Sequence, residues 1–525
     1  MTAREPGRAV VIGGGIAGLA SAALLARDGW SVDLVEQQPG FGGRAGTWAH
    51  DGFRFDTGPS WYLMPEVFDH FFRLLGTTAD AELDLVRLDP AYRVFFEKHD
   101  ESLDIAAGRT ANVATFDAIE PGAGAALERH LDSAQNVYDL AVRRFLYGTF
   151  ESRRSLITPD VARQTPRLAQ LLTRSLESLV ASRFTDHRLR QVLGYPAVFL
   201  GTSPDRAPSL YHLMSWLDLA DGVYYPRGGF GTLVHALVRL ARGAGARLHA
   251  ATEATAIEVD RTGRTRVSGV RVVDRTGQTR SIEADIVVGA ADLHHVETAL
   301  VPADLRTYDE AWWETRDPGP GAVLACLGVE GDLPQLAHHT LFFTHDWRSN
   351  FDDIFQAPTR VPDPASAYVC RPSASDATVA PPGHENLFIL VPVPADPGLG
   401  RGGLDGTGDP QVEKVADAAI DRIASEIGVP GLADRIVVRR TLGPGDFVAD
   451  LNAWSGGALG PAHVLKQSAF FRAGNVSRKI DGLLYAGAGT IPGIGLPMCL
   501  ISAELVLKRL RGDRSTTPLP TDAAS

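Results

Sequence analysis

Residues 10–36 read VVIGGGIAGLASAALLARDGWSVDLVE, and they leave this chain little freedom in how it begins to fold. An uncharged β-branched run predicts a buried strand over 9–12. Gly13, Gly15 and Gly18 follow in the order G-x-G-x-x-G, then helical apolar spacing over 16–27 with Gly29 to end it. Residues 31–36 alternate as a second strand and close on Glu36. In such a strand–turn–helix–strand unit the first glycine makes the tight turn and the second admits a pyrophosphate to the backbone. The third lets helix and strand pack closely, and an acid about twenty residues on holds a ribose hydroxyl pair. The unit predicts a dinucleotide site at Gly13, Gly15, Ile16, Ala17, Gly18 and Glu36. A bare glycine-rich turn is the competing reading, and it leaves Glu36 unexplained.

Glu36 disfavours a 2′-phosphate, which leaves FAD and NAD. The next residues separate the two. GFGGRAG over 40–46 is a second glycine-rich loop carrying one cation, with Gly42, Gly43 and Arg44 placed to meet more of a cofactor. FRFDTGPS over 53–60 follows, with Gly58, Pro59 and Ser60. An NAD domain has no use for these extra loops, whereas a flavoprotein burying extended FAD does.

Near the other end, LLYAGAGTIPGIGLPMCLISA over 483–503 carries no charge and is long enough to cross a bilayer. Four glycines and two prolines in its first fifteen positions argue against a helix there. The better parse is a strand over 483–486, a backbone-rich loop over 487–497 and a helix over 498–510, with Lys508 and Arg509 at its negative end. Strand, glycine loop and helix again bring bare N–H groups to a ligand. The run at 9–26 after Arg4 and Arg8 imitates a secretory signal, but GGGIAG interrupts its apolar core. With 525 residues, two domains are expected. A net charge of −12 gives no surface for nucleic acid. Cys326, Cys370 and Cys499 are too dispersed for a disulfide framework or a CxxC metal site. His294–His295 and His338–His339 are read as non-ligating, because neighbours on a strand point to opposite faces; no metal is expected. Trp61, Trp312, Trp313, Phe342 and Phe343 read as packing, some of them available to an apolar tunnel.

Taken together, GGGIAGL, Glu36, GGRAGT and FDTGPS resemble FAD proteins of the amine-oxidase and carotenoid-desaturase superfamily. YYPRGGFGTL at 224–233, AHHT at 337–340, DDIF at 352–355, LNAWSG at 451–456 and QSAFFR at 467–472 are similar to bacterial-type phytoene desaturases. So is AGAGTIPGIGLP at 486–497, and the likeness runs over about residues 8–510. The resemblance implies an α/β fold. A Rossmann-like FAD-binding domain (GR2-type flavoprotein) would be built from 8–85, 225–300 and 472–512. A mixed α+β substrate domain from 86–224 and 301–471 would carry a helical membrane-facing part, and 513–525 would form a disordered tail. It further places Ala254, Gly487, Gly489, Gly493, Leu496 and Pro497 at the cofactor. Leu496-Pro497-Met498 lacks the family's final glycine, so the pocket beside the flavin differs in shape.

The implied activity is FAD-dependent desaturation of phytoene or a related polyene by hydride transfer to flavin, with oxygen or a quinone as electron acceptor. Another carotenoid redox step (end-group desaturase, oxidase or saturase), an amine oxidase-like activity and a non-catalytic isoprenoid carrier stay open. A hydrocarbon substrate needs few polar contacts, and only two catalytic candidates emerge. Asp132 lies in LDSAQ, where similar enzymes show L-D-x-x-R; Arg227 starts the YPRGG helix. The implied location is peripheral, on the cytoplasmic face of a membrane, without signal peptide or transmembrane helix. Residues 143–190 carry ten arginines and four acids, +6 in a chain of −12, and Leu168, Leu171, Leu172, Leu176, Leu179, Val180 and Phe184 recur at helical spacing. By pattern alone that stripe reads as a core-facing helix with a solvated basic face; with the lipid-soluble substrate that the resemblance implies, it is the expected membrane face.

Overall fold

A computed structural model describes residues 7–151 and 159–521. Its first sheet is wholly parallel, in the order Leu483–Tyr485, Ile286–Gly289, Arg8–Ile12, Ser31–Val35, Arg247–His249. Segments hundreds of residues apart thus share one sheet. One face of this sheet packs against helices through Ala9, Val11, Leu34 and Val288, and the other against the antiparallel strands of residues 252–283 through Val10, Ile12 and Val287. The helix Ile16–Arg27 has eleven of its twelve residues buried. Alanine and glycine keep it thin enough to pass between Gly231–Gly243 and Leu496–Arg511, where Leu233, Leu237, Ala503 and Val506 pack on it. The strand Thr252–Asp260 forms a separate antiparallel sheet with Arg266–Asp274 and Thr279–Glu283.

The second large sheet has seven strands, in the order Ile436–Leu442, Gly321–Glu330, His384–Val393, Ala367–Cys370, His339–Phe343, Tyr92–Phe96, Leu103–Ile105. Only His339–Phe343 and Tyr92–Phe96 run parallel. Gly321–Glu330 is buried at nine of its ten positions. The helix Pro410–Glu426 covers one of its faces, and Phe53 and Phe55 of the small hairpin cover the other. The helices Arg109–Ile119, Ala123–Ala141, Leu176–Ala181 and His187–Gly194 lie over the Tyr92–Phe96 end.

Two expectations fail here. The stripe at 168–184 is not a free apolar face. Leu171, Leu176, Leu179, Val180 and Phe184 are buried against Val137, Phe116, Leu189 and their neighbours. The chain also breaks between Pro159–Thr173 and Leu176–Ala181, so the stripe does not continue along one helix. Part of that arginine-rich segment, 152–158, lies outside the described residues. Nor is the tail wholly disordered, since residues 513–521 fold back. Lys508 is fully buried and its ammonium donates to the carbonyls of Tyr147, Ser515 and Thr517 at 2.7–2.9 Å. Leu519 is buried, and its N–H donates to Glu504. A buried cation requires acceptors, and the tail supplies three of them, the Ser515 hydroxyl included. Among the described residues no helix is long and apolar enough to cross a membrane.

Candidate functional site

A long cleft runs along the carboxyl ends of the parallel strands, where ligands of open α/β sheets sit. The space between its walls, open solvent included, is about 1270 Å³. Thirteen of the expected cofactor residues line it: Gly13, Gly15, Ile16, Ala17, Glu36, Gly42, Gly43, Arg44, Pro59, Ala254, Gly487, Gly489 and Leu496.

The local geometry follows from small residues. Gly13 has φ +104°, and a Cβ on Gly18 would sit 1.9 Å from the Gly13 carbonyl oxygen. A Cβ on Gly15 would find nothing nearer than 3.8 Å. Gly18 therefore packs the turn without lining the cleft, whereas Gly15 leaves room at its edge. The helix that starts at Ile16 has no side-chain cap, so its first N–H groups remain for an anionic ligand. The second glycine loop presses against this turn: Gly42 N–H donates to the Gly14 carbonyl at 2.9 Å. Glu36 is 8% exposed and accepts from Gly14 N–H at 2.6 Å and Gln38 N–H at 2.7 Å. Burial raises its pKa, partly offset by those two N–H groups. Each carboxylate oxygen keeps a further lone pair for a hydroxyl.

Arg44 donates to the Ala458 carbonyl at 3.1 Å and pairs with Asp292 at 3.4 Å. Gly58 lies behind the wall, where its Cβ would come 1.9 Å from the Arg44 carbonyl oxygen; it holds Pro59 at the cleft. Ser60 points away from it and hydrogen-bonds Tyr368 at 2.7 Å. Gly493 and Pro497 also miss the lining. A Cβ on Gly493 would strike the His463 ring at 2.3 Å, and Pro497 stands in the first turn of Leu496–Arg511. That helix starts two residues earlier than its sequence suggests, because proline is well tolerated in a first turn.

The closing loop is aimed by Arg472. This fully enclosed guanidinium donates to the carbonyls of Ala488 at 2.5 Å, Thr490 at 3.1 Å and Gln467 at 3.2 Å. In a trans peptide C=O and N–H point opposite ways. Turning the Ala488 carbonyl onto Arg472 therefore turns the Gly489 N–H the other way, and Gly489 lines the cleft. Burial pulls the Arg472 pKa down to about 10.

Neither catalytic candidate reaches the cleft. Asp132 is exposed on Ala123–Ala141 and pairs with Arg109 at 2.7 Å. Arg227 is half exposed, pairs with Asp84 at 3.3 Å and donates to the Ser375 carbonyl at 3.0 Å. The cleft also contains Asp292, which was not singled out, together with His295, Trp313 and Trp454, which were not expected at the cofactor. Asp292 carried a usable signal, since it follows the buried strand Ile286–Gly289 and so falls at a parallel strand's carboxyl end. The histidine pairs need one correction. The two rings of His338 and His339 do not point apart: their centroids are 4.6 Å from each other, because His338 precedes the strand that His339 opens.

This cleft defines a flavoprotein of the amine-oxidase type, with FAD as its cofactor. The profile for flavin containing amine oxidoreductases matches residues 16–506. Wild-type putrescine oxidase bound to putrescine superimposes with a TM-score of 0.59 at 13% identity, over 97% of this chain and 99% of that one. An oxidoreductase from Methanosarcina mazei gives 0.58 at 18% identity, over 95% and 100%. Within that class the chain belongs to the carotenoid desaturases. It is 42% identical to a carotenoid 3,4-desaturase of Haloarcula japonica, over 96% of this chain and 98% of the relative. It is 35% identical to a zeta-carotene-forming phytoene desaturase of Myxococcus xanthus, over 97% and 95%. It is an FAD-dependent oxidoreductase acting on CH–CH bonds.

Proposed function

We propose that the cleft holds FAD in an extended form and that the enzyme desaturates a carotenoid: phytoene or a related polyene. The observation that carries the reading is the pair of backbone-rich walls. The Gly13–Gly15 turn and the uncapped start of Ile16–Arg27 face the loop aimed by Arg472 across one cleft. FAD, when bound, supplies the hydride acceptor. The chain's own part is to bind, orient and keep dry. Glu36 takes ribose hydroxyls, the N–H groups from Gly15 onward take the pyrophosphate, and Gly489 N–H points to the far half. We place Gly18, Gly58, Gly493 and Pro497 as packing residues that hold these walls, and Asp132 and Arg227 as surface ion-pair residues.

The cofactor part would comprise 8–85, 225–300 and 472–512, and the substrate part 86–224 and 301–471. A second reading, desaturation of an already conjugated carotenoid at its 3,4 position, is favoured by the 42% identity to an enzyme of that name.

A lipid-soluble substrate also calls for contact with a membrane. We assign this to Phe470 and Phe471, which are 54% and 51% exposed and lie against each other at 4.3 Å, with Leu465 and Lys466 close by in sequence. The enzyme would then work peripherally on the cytoplasmic face and pass its electrons to oxygen or a quinone.

The test is anaerobic. FAD-loaded protein is mixed with liposomes carrying either cis-phytoene or lycopene, and flavin bleaching is followed together with pigment chromatography. Bleaching with longer polyenes from phytoene supports the first reading; bleaching with lycopene alone supports the second. A folded, FAD-loaded protein that stays oxidised with both would overturn the carotenoid assignment.

A further inference from the structure

We propose that His338, His339 and Cys370 form a metal site, a His₂Cys set suited to zinc. The three come together through strand register. His339 opens His339–Phe343 and lies opposite Cys370, the last residue of Ala367–Cys370. Antiparallel partners present their side chains to one face. His338 is brought alongside by a hydrogen bond from Arg371 N–H to its carbonyl at 2.7 Å. One donor atom from each of the three side chains lies within 4.8 Å of the others. Tetrahedral zinc, with bonds of about 2.0–2.3 Å, brings its donors closer than that, so the side chains must draw in by roughly an ångström.

The pattern of hydrogen bonds points to a ligand. All three residues are buried, at 4%, 0% and 5% exposure. Each imidazole is held by its Nδ1: His338 by the Ser375 hydroxyl at 3.1 Å and His339 by the Tyr368 hydroxyl at 2.7 Å. Both Nε2 atoms lack a partner among the described residues. A buried ring nitrogen seldom goes without a partner. One nitrogen oriented by a hydrogen bond and the other free is how metal-binding histidines are prepared. Trp61 stacks on His339 at 4.3 Å and Tyr225 lies on His338 at 4.6 Å, which fixes both rings.

The donor set is two imidazoles and one thiolate. The Cys370 thiol must give up its proton as the metal binds, so uptake of each ion releases one proton. Imidazole with thiolate selects a borderline or soft ion and discriminates against magnesium and calcium. Such an ion would clip two neighbouring strands of the seven-stranded sheet. Through Tyr368 and Ser60 it would also touch the loop that carries Pro59 to the cleft.

The test uses the FAD-loaded full chain, stripped with a chelator and titrated with zinc, then with cobalt(II) as a spectroscopic probe. The expected result is one ion and one released proton per chain. Cobalt should give a thiolate charge-transfer band and ligand-field bands to the red of the flavin absorption. Cys370→Ala should abolish binding. Tyr368→Phe, which frees the His339 Nδ1, should weaken it about 10- to 100-fold without loss of FAD. If Cys370→Ala fails to retain FAD, the wild-type cobalt spectrum and Tyr368→Phe decide alone. Stoichiometric binding that survives both substitutions, a cobalt spectrum without thiolate character, or no binding at all would each overturn the site.

Discussion

Arg472 offers the sharpest test of how the cofactor loop is aimed. Replacing it by methionine removes a buried charge and strands three carbonyls at once. Removing the charge is favourable: burial lowers the Arg472 pKa to about 10, which corresponds to about 3 kcal/mol of uncompensated desolvation. Each stranded carbonyl costs about 1–3 kcal/mol. Three such carbonyls cost about 3–9 kcal/mol against the ~3 gained, so Arg472→Met should lower the stability of the cofactor-free protein by between zero and about 6 kcal/mol.

The cofactor sees a different balance. Two of the three carbonyls, Ala488 and Thr490, belong to the loop itself. Without Arg472 they turn to water in the free protein and must be turned back when FAD binds. That reordering costs roughly 2–4 kcal/mol, a loss of about 30- to 1,000-fold in FAD affinity. The assay is titration of apoprotein with FAD, followed by flavin fluorescence, alongside thermal unfolding without FAD. Arg472→Lys keeps the charge but not the fork that spans three acceptors, and should fall between. If Arg472→Met binds FAD within about threefold of the parent, the loop is aimed by other contacts and the reasoning fails.

Gly18→Ala and Gly15→Ala should separate packing from ligand room. The first drives a Cβ to 1.9 Å from the Gly13 oxygen and should lower the melting temperature of the apoprotein, whereas the second should leave it unchanged and lower only FAD content. Equal effects on both readouts would refute the distinction. Asp218 is buried beneath the hydroxyls of Tyr92 and Tyr195, and burial raises its pKa to about 7. A carboxyl that holds its proton more tightly folded than unfolded makes stability fall as pH rises from about 4 to about 7. Asp218→Asn should flatten that fall and stabilise the protein above pH 7 by up to about 4 kcal/mol, measured by denaturant titration at several pH values. An unchanged pH profile would show that Asp218 does not titrate there. Phe470→Ser with Phe471→Ser should weaken binding to vesicles by about 30-fold, taking half of the ~1.5–3 kcal/mol of each phenylalanine side chain, with FAD content retained. Undiminished flotation with vesicles would place the membrane contact elsewhere.

Most of the cofactor cleft was legible in the sequence because its signals are local. A glycine needed for positive φ or close approach must stand at its own position, and the strand and helix beside it announce themselves within about a dozen residues. Gly13, Gly42 and Gly487, with φ of +104°, +127° and +105°, are of this kind. What stayed hidden depends on partners far along the chain. Arg472 aims a loop sixteen residues later, and nothing in QSAFFR tells a buried guanidinium from a surface one. The rings of His338 and His339 do not point apart, because His338 lies one residue before the strand starts and the alternation of a strand does not reach it. Cys370 joins them only through pairing between strands, which spacing does not encode.

The membrane question shows why periodicity alone misleads. An apolar stripe at helical spacing records that a face is covered, and says nothing of whether protein or lipid covers it. At 168–184 the answer is protein: Val180 and Phe184 are sealed under the helices beside Tyr92–Phe96. Their neighbour Arg183 is itself partly buried, its guanidinium 2.9 Å from Nδ1 of the buried His130. Phe470 and Phe471 have no period at all, lying in a single turn, Ala469–Phe471. They are exposed because Arg472, the next residue, is drawn inward to three carbonyls. The same anchor that aims the cofactor loop therefore holds these two rings outward, which couples the proposed membrane contact to FAD binding. Arg472→Met should weaken vesicle binding along with FAD affinity, whereas the phenylalanine substitutions should weaken vesicle binding alone.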